Sequence, residues 1–162
     1  MKLQMVGLAL LSLLNATQER PPDAAVAKLE TGDRFIGEWK LDTERSSRTG
    51  IESEVVKIEN SGGEYKLAYD WAAENGTVLH WWIVTDMKGG CVKQTQTNGK
   101  PLTSQSCITR LGPDRFIDDT FLIKDEYEVS KNGQTLTIHR TFKMSPNGRQ
   151  LPKSKLVFAR VA

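Results

Sequence analysis

The sequence is poor in the residues and motifs that most often carry enzyme chemistry. It has two histidines, His80 and His139, and neither stands at a spacing that metal ligands use. No G-x-S-x-G segment and no phosphate-binding loop occurs in its 162 residues. These absences remove the usual sequence signals for a zinc site, a serine hydrolase and a nucleotide-binding enzyme. We therefore expect no metal and no cofactor.

An excess of charge of one sign is also missing. The chain carries 22 Lys and Arg against 20 Asp and Glu, a net charge of +2, and its basic residues are scattered. Proteins that bind nucleic acid usually concentrate basic residues on one face. The charge pattern therefore argues against a nucleic-acid partner.

Segments of helical periodicity are missing after residue 34. The chain instead reads as about ten short strands separated by turn residues such as Asn75-Gly76. Residues 88–90 (Lys-Gly-Gly) are another predicted turn, and the predicted strands include one over 115–124 and one over 127–130. We predict an all-β fold, a single antiparallel up-and-down barrel of about 8–10 strands, because a long meander must close or leave exposed edges. A flattened two-sheet sandwich is the alternative. The clearest alternation puts four residues on one face: Tyr65, Leu67, Tyr69 and Trp71.

The first residues differ in composition from the rest. Lys2 is followed by an apolar run over residues 3–14 and a small residue, Ala16, which is typical of a secretory signal peptide. The alternative is an N-terminal helix packed on the domain. We predict a signal peptide over residues 1–16, a linker with a short helix over 17–33, and a barrel domain over 34–162. A secreted or periplasmic location follows, with no stable membrane insertion of the mature chain.

The two cysteines are placed symmetrically about a turn. Cys91 and Cys107 each lie eight residues from Gly99, and Gly99 is the central residue of the turn sequence Thr-Asn-Gly-Lys-Pro. A hairpin folded about Gly99 sets the two Cα atoms roughly 4.5–5.5 Å apart, within reach of a disulfide. We predict this disulfide; two free core thiols are the alternative.

Residues 35–41 form the strand around which we expect the fold to be organised. Phe35, Gly37, Trp39 and Leu41 share one face of this strand. A glycine beside a buried tryptophan indicates that another group approaches the backbone closely. Trp39 fills one end of the closed sheet in this interpretation.

The run Phe35-x-Gly37-x-Trp39-Lys40-Leu41, followed by Asp42-x-x-x-Ser46, resembles the first strand of the calycins. That superfamily includes lipocalins, fatty-acid-binding proteins and bacterial secreted lipocalin-like proteins. The resemblance implies a barrel with an internal cavity. The polar segment 42–50 departs from the fatty-acid-binding proteins, because nine residues are too few for their helix-turn-helix lid.

The resemblance also suggests roles for two arginines. Arg160, on the last strand, is expected to cover Trp39 and to be structural. Arg140 shares an apolar face with residues 136, 138 and 142, and resembles the arginine with which fatty-acid-binding proteins hold a ligand carboxylate. The alternatives for Arg140 are an ion pair with an inward carboxylate such as Asp118, or a position on the outer face.

We expect a secreted protein that binds a small, largely apolar or amphipathic molecule in the barrel. An interaction or inhibitor module with a filled barrel is the first alternative, and an enzyme is the second. The enzyme requires Asp118 or Asp119 to face the cavity with a raised pKa. The sequence leaves the oligomeric state open. The expected ligand contacts are Tyr69, Trp71, Trp82, Phe121 and Arg140.

Overall fold

The fold is known from a computed structural model that describes residues 32–47, 49–97, 101–143 and 153–162. The predicted signal peptide over residues 1–16 and the helix in the linker lie outside these ranges. Among the described residues, no helix is long and apolar enough to cross a lipid bilayer. The described residues form ten strands: β1 (Gly37–Leu41), β2 (Ile51–Ser61), β3 (Glu64–Ala73), β4 (Val78–Thr85), β5 (Lys88–Gln96), β6 (Pro101–Arg110), β7 (Arg115–Asp119), β8 (Ile123–Val129), β9 (Thr135–Phe142) and β10 (Ser154–Arg160).

The strands form one closed antiparallel barrel in which each strand pairs with its sequence neighbours. β1 closes the ring by pairing with β2 on one side and with β10 on the other. The predicted all-β barrel of about 8–10 strands is therefore confirmed. The seam between β4 and β5 is short, since its register joins Trp81 to Gln96 and Trp82 to Thr95.

One end of the barrel is filled by side chains. Phe35, Trp39 and Phe116 are completely buried there, and the Phe35 and Phe116 rings meet edge to face at 4.8 Å between centroids. The Trp39 indole N–H donates to the carbonyl of Phe35 at 2.9 Å, which satisfies its single donor. This end carries the loops that join β2 to β3, β6 to β7 and β8 to β9, and we call it the closed end.

Arg160 covers Trp39 at the closed end. Its guanidinium carbon lies 4.1 Å from the centroid of the indole ring, within cation–π distance. The guanidinium also donates to the carbonyls of Gly133 at 2.5 Å and Ile36 at 2.8 Å. Gly37 has a φ of +141° and faces the same guanidinium, so a Cβ there would overlap Arg160. The group that approaches the backbone of Gly37 closely, as the sequence predicts, is therefore the side chain of Arg160.

An ion pair ties the segment before β1 to the same end. Arg110 donates from both terminal nitrogens to the carboxylate of Asp33, at 2.9 and 3.0 Å, and Tyr65 donates to it at 2.7 Å. Burial opposes ionisation of Asp33, but these hydrogen bonds outweigh it and lower its pKa. The charged Asp33 therefore holds the chain across the closed end.

The β5–β6 hairpin carries the predicted disulfide. Cys91 and Cys107 pair across the two strands with their Cα atoms 4.0 Å apart, and their sulfurs are bonded. The turn before β5 differs from the expectation that residues 88–90 form it. Met87, with a φ of 57°, takes the turn instead, and its backbone N–H is bound by the Thr85 hydroxyl at 3.0 Å.

The strand boundaries near residue 120 also needed correction. The sequence suggested one strand over 115–124 and another over 127–130. The structure ends β7 at Asp119 and begins β8 at Ile123, because Thr120 turns the chain through hydrogen bonds with Ile123. This shift places Asp125 inside a strand and Phe121 in a loop.

Candidate functional site

The other half of the barrel is hollow. It contains a cavity of about 860 Å³ that opens to solvent at the end opposite Trp39. Exposed side chains from the loops and strand ends, among them Leu79, Phe121 and Leu122, surround the opening. Small-molecule sites in proteins have volumes of about 300–1,000 Å³, so this cavity is large enough for a ligand. A filled barrel, required by the interaction-module alternative, does not agree with this volume.

Aromatic side chains form one wall of the cavity. Tyr69 on β3 stacks on Trp81 of β4, with ring centroids 4.9 Å apart and planes 9° apart. Trp71 lies one inward position further toward the opening and also lines the cavity. Tyr69 and Trp71 therefore occupy the cavity wall, which is where a ligand contact requires them to be.

Trp82 does not line the cavity, so its expected place in the cavity wall is wrong. The β3–β4 register pairs Tyr69 with Trp81 and Ala68 with Trp82, which turns Trp82 to the outer face. Lys66 lies over its ring there, 5.6 Å from the centroid. The sequence pattern was ambiguous because β4 is apolar on both faces. The inward tryptophan of the pair is Trp81.

Phe121 stands at the opening of the cavity. It lies in the loop between β7 and β8 and its side chain is 77% exposed. The sequence placed it inside a strand, and the structure puts it on the rim. A ligand that fills the cavity would contact Phe121 at the entrance and Tyr69 further in.

Arg140 faces the cavity, but its charge is already paired. Its Nε and Nη2 donate to the carboxylate of Asp125 on the neighbouring strand β8, at 2.9 and 2.7 Å. Burial opposes the charge on Arg140, yet the contact with Asp125 outweighs this effect and raises its pKa. The alternative interpretation of Arg140, an ion pair with an inward carboxylate, is therefore correct, with Asp125 as the partner in place of Asp118. A ligand carboxylate would meet an arginine whose charge Asp125 already balances.

Asp118 faces the interior from β7 and is buried. One of its oxygens accepts a hydrogen bond from the Ser106 hydroxyl at 3.1 Å, and Gln94 donates to that hydroxyl at 3.0 Å. Burial raises the pKa of Asp118 to about 7, although the Ser106 hydrogen bond lowers it. Both requirements set for an acid–base role of Asp118, a cavity position and a raised pKa, are met.

Glu54 is a second buried carboxyl group in the cavity wall. Its side chain is 2% exposed, and burial raises its pKa to about 7 against the lowering effect of Arg140. A register shift between Ile51 and Ser53 allows both Ile51 and Glu54 to face inward. Glu54 and Asp118 thus both change charge near neutral pH.

Two tyrosine hydroxyls complete the polar part of the site. Tyr69 and Tyr127 are buried with their hydroxyl oxygens 3.1 Å apart. Burial raises the pKa of both tyrosines well above their usual value, so both stay neutral. One of the two hydroxyls donates to the other.

Sequence reasoning missed Glu54, Trp81 and Asp125 as site residues. Glu54 alternates with Val56 and Ile58, and Asp125 alternates with residues 127 and 129, so period-two counting would have placed both on the inner face. Trp81 needed the register with β3. In the described part of the chain, no three His, Cys, Asp or Glu side chains are grouped so that they would hold a metal ion.

The fold resembles solved structures of proteins that share little sequence with this chain. A fatty-acid-binding protein of Schistosoma mansoni in complex with arachidonic acid superposes with a TM-score of 0.55 at 10% identity, over 80% of this chain and 97% of that one. The chain has a calycin-like fold. Zebrafish ileal bile acid-binding protein complexed with cholic acid gives a TM-score of 0.50 at 14% identity, over 79% and 99% of the two chains.

A mutant of the REP1-NXSQ fatty acid transporter gives a TM-score of 0.52 at 14% identity, covering 80% of this chain and all of that one. No protein-family model and no curated protein matches the sequence. The resemblance read from the strand at residues 35–41 is therefore confirmed at the level of fold. At these identities the likeness carries no residue roles from those proteins to this chain.

Proposed function

We propose that this protein binds a small, largely apolar molecule inside the barrel. The observation that carries the proposal is the cavity of about 860 Å³ with a wall of Tyr69, Trp71 and Trp81. An apolar wall with a few polar groups at one side is typical of small-molecule sites. The occurrence of a fatty-acid-binding and a bile-acid-binding protein among structures of the same fold supports the proposal.

The binding test uses two adjacent tryptophans on opposite faces of one strand. Nile red, a neutral apolar dye, is titrated into the wild type, Trp81→Ala and Trp82→Ala while its fluorescence is recorded. We expect saturable binding by the wild type, because the cavity removes the dye from water. Trp81→Ala should weaken binding by about tenfold through lost contact area, and Trp82→Ala should change it little.

The opposite pattern would contradict the proposal. If Trp82→Ala abolishes the signal and Trp81→Ala leaves it intact, the dye binds the outer face of β4. That outcome would favour an interaction surface, since Val84 and Trp82 point outward there.

Acid–base catalysis on the bound molecule is a second candidate function. The observation that favours it is Asp118, which faces the cavity with a pKa raised to about 7. Burial accounts for that shift without catalysis. Turnover of a bound compound by the wild type and its loss in Asp118→Asn would support the enzyme.

We also propose that the protein is exported. The apolar run over residues 3–14 supports this, and so does the Cys91–Cys107 disulfide, since such bonds persist mainly in oxidising compartments. Export is tested by fractionating cells that produce the protein and measuring the mass of the chain in each fraction. We expect the chain outside the cytosol, with a mass that lacks the signal peptide. An uncleaved chain in the reducing cytosol would contradict it.

A further inference from the structure

Among the described residues, the cavity wall holds more acidic than basic side chains. Four carboxyl groups and two basic groups of this part of the chain line it, so full ionisation would leave two negative charges in excess. A positively charged ligand would offset that excess. The carboxyl groups are Glu54, Asp118, Asp119 and Asp125, and the basic groups are Arg140 and Lys143.

Both basic groups are engaged by carboxylates of the protein. Arg140 is held by Asp125 through both oxygens. Lys143, at the rim, forms an ion pair with Asp119 and donates to the carbonyl of Thr120 at 2.8 Å. The charge of each cation is therefore already balanced by a carboxylate of the protein, which weakens its attraction for a ligand carboxylate.

The two remaining carboxyl groups keep oxygen atoms without a partner. Oε2 of Glu54 and Oδ1 of Asp118 are buried, and within the described residues no group donates a hydrogen bond to either atom. The two side chains are 2% and 7% exposed. A buried acceptor without a donor is costly and rare, so hydrogen-bond donors on a bound molecule would stabilise these two groups.

Glu54 and Asp118 lie around the same ion pair, although they come from different strands, β2 and β7. Burial raises the pKa of both carboxyl groups, while Arg140 lowers it and Asp125 raises it in each case. Both carboxyl groups therefore interact electrostatically with Arg140 and Asp125. Tyr69 lies near both groups and Tyr127 lies near Asp118, and both hydroxyls stay neutral. Asp119 also raises the pKa of Asp118, and its own charge is paired with Lys143.

We propose that the cavity takes a cationic amphiphile, whose protonated amine binds between Glu54 and Asp118 and whose apolar body lies against Trp71 and Trp81. This inference rests on the proposed function and specifies its ligand class. An ammonium group offers three donors and a positive charge, whereas an alcohol offers one donor and a carboxylate offers none. A fatty acid would instead place a third negative charge beside these two groups.

The test compares three amphiphiles that share a dodecyl chain: dodecylammonium, dodecanol and dodecanoate. Each amphiphile is titrated against Nile red bound to the wild type, and displacement of the dye is recorded. The amphiphile is kept below its critical micelle concentration, and the pH is about 8, where an alkylamine is still protonated. We expect dodecylammonium to bind at least about tenfold more tightly than dodecanol, because charged hydrogen bonds in a buried site are strong. Dodecanoate should bind most weakly.

The double variant Glu54→Gln, Asp118→Asn assigns the preference to these residues. It should weaken dodecylammonium binding by at least about tenfold and leave dodecanol binding nearly unchanged. Glu52→Gln is the matched control, because Glu52 lies on the same strand, β2, and is exposed. The control should retain the wild-type preference. The wild-type series decides the question even if the double variant fails to fold.

The outcomes separate this inference from the proposed function. If dodecanoate binds the wild type as tightly as dodecylammonium, or if the double variant keeps the preference for the amine, the inference is wrong. If Nile red and dodecanol bind, but dodecylammonium binds no more tightly than dodecanol, the cavity still binds apolar molecules and only the inference fails. If none of the four compounds binds, both fail.

Discussion

Glu54 and Asp118 couple the stability of the protein to pH. Burial raises the pKa of each to about 7 in the folded chain, from ordinary values of 4.5 and 3.8. The folded state therefore binds these two protons more tightly than the unfolded state does. Their contribution to stability is fully present below about pH 4 and is lost as the pH rises through about 7.

Removing one of these charges should stabilise the protein at alkaline pH. Ionised Glu54 costs roughly 3 kcal/mol, the equivalent of its raised pKa. Glu54→Gln should therefore raise the free energy of unfolding by about 1–3 kcal/mol at about pH 8 and change it little at about pH 4. Urea unfolding at both pH values measures this. A variant that is less stable than the wild type at the higher pH would contradict the account, and Glu52→Gln serves as the control.

Single residues were predictable from sequence where a strand alternates clearly. Alternation placed Arg140 in an apolar row, and the structure shows that this row faces the cavity. It did not identify Asp125 as the partner, because the two residues meet through the register between β8 and β9. Register depends on how whole strands align, which the local pattern does not fix.

The β5–β6 hairpin is the element in which sequence reasoning succeeded most directly. Two cysteines at equal distances from Gly99 predicted a disulfide across a hairpin, and the structure contains this disulfide. The start of β5 was not predictable in the same way. Gly89 and Gly90 suggested a turn, whereas the chain turns at Met87, a residue type that seldom adopts a positive φ.

The disulfide should contribute a large part of the stability of this hairpin. It closes a loop with a sequence separation of 16, for which the chain-entropy model gives about 3 kcal/mol. The double variant Cys91→Ser, Cys107→Ser should lose about that much free energy of unfolding in urea. Wild type treated with a reductant should match the variant. If the variant is as stable as the oxidised protein, the disulfide does not restrain the chain as described.

The whole molecule is a barrel with a filled end and a hollow end. Strand number and turn spacing favoured closure over a two-sheet sandwich, because an up-and-down sheet of ten strands that stays open leaves two exposed edges. They did not predict the cavity volume. That volume depends on how far side chains from opposite walls extend toward one another, and opposite walls come from residues far apart in the sequence.

The most direct test of the central claim uses the indole N–H signals of the four tryptophans in an NMR titration with dodecanol. Trp71 and Trp81 line the cavity, Trp39 fills the closed end, and Trp82 lies on the outer face. We predict saturable shifts of the Trp71 and Trp81 signals, with those of Trp39 and Trp82 nearly unchanged. The absence of any saturable shift, or a shift confined to Trp82, would contradict a binding cavity inside the barrel.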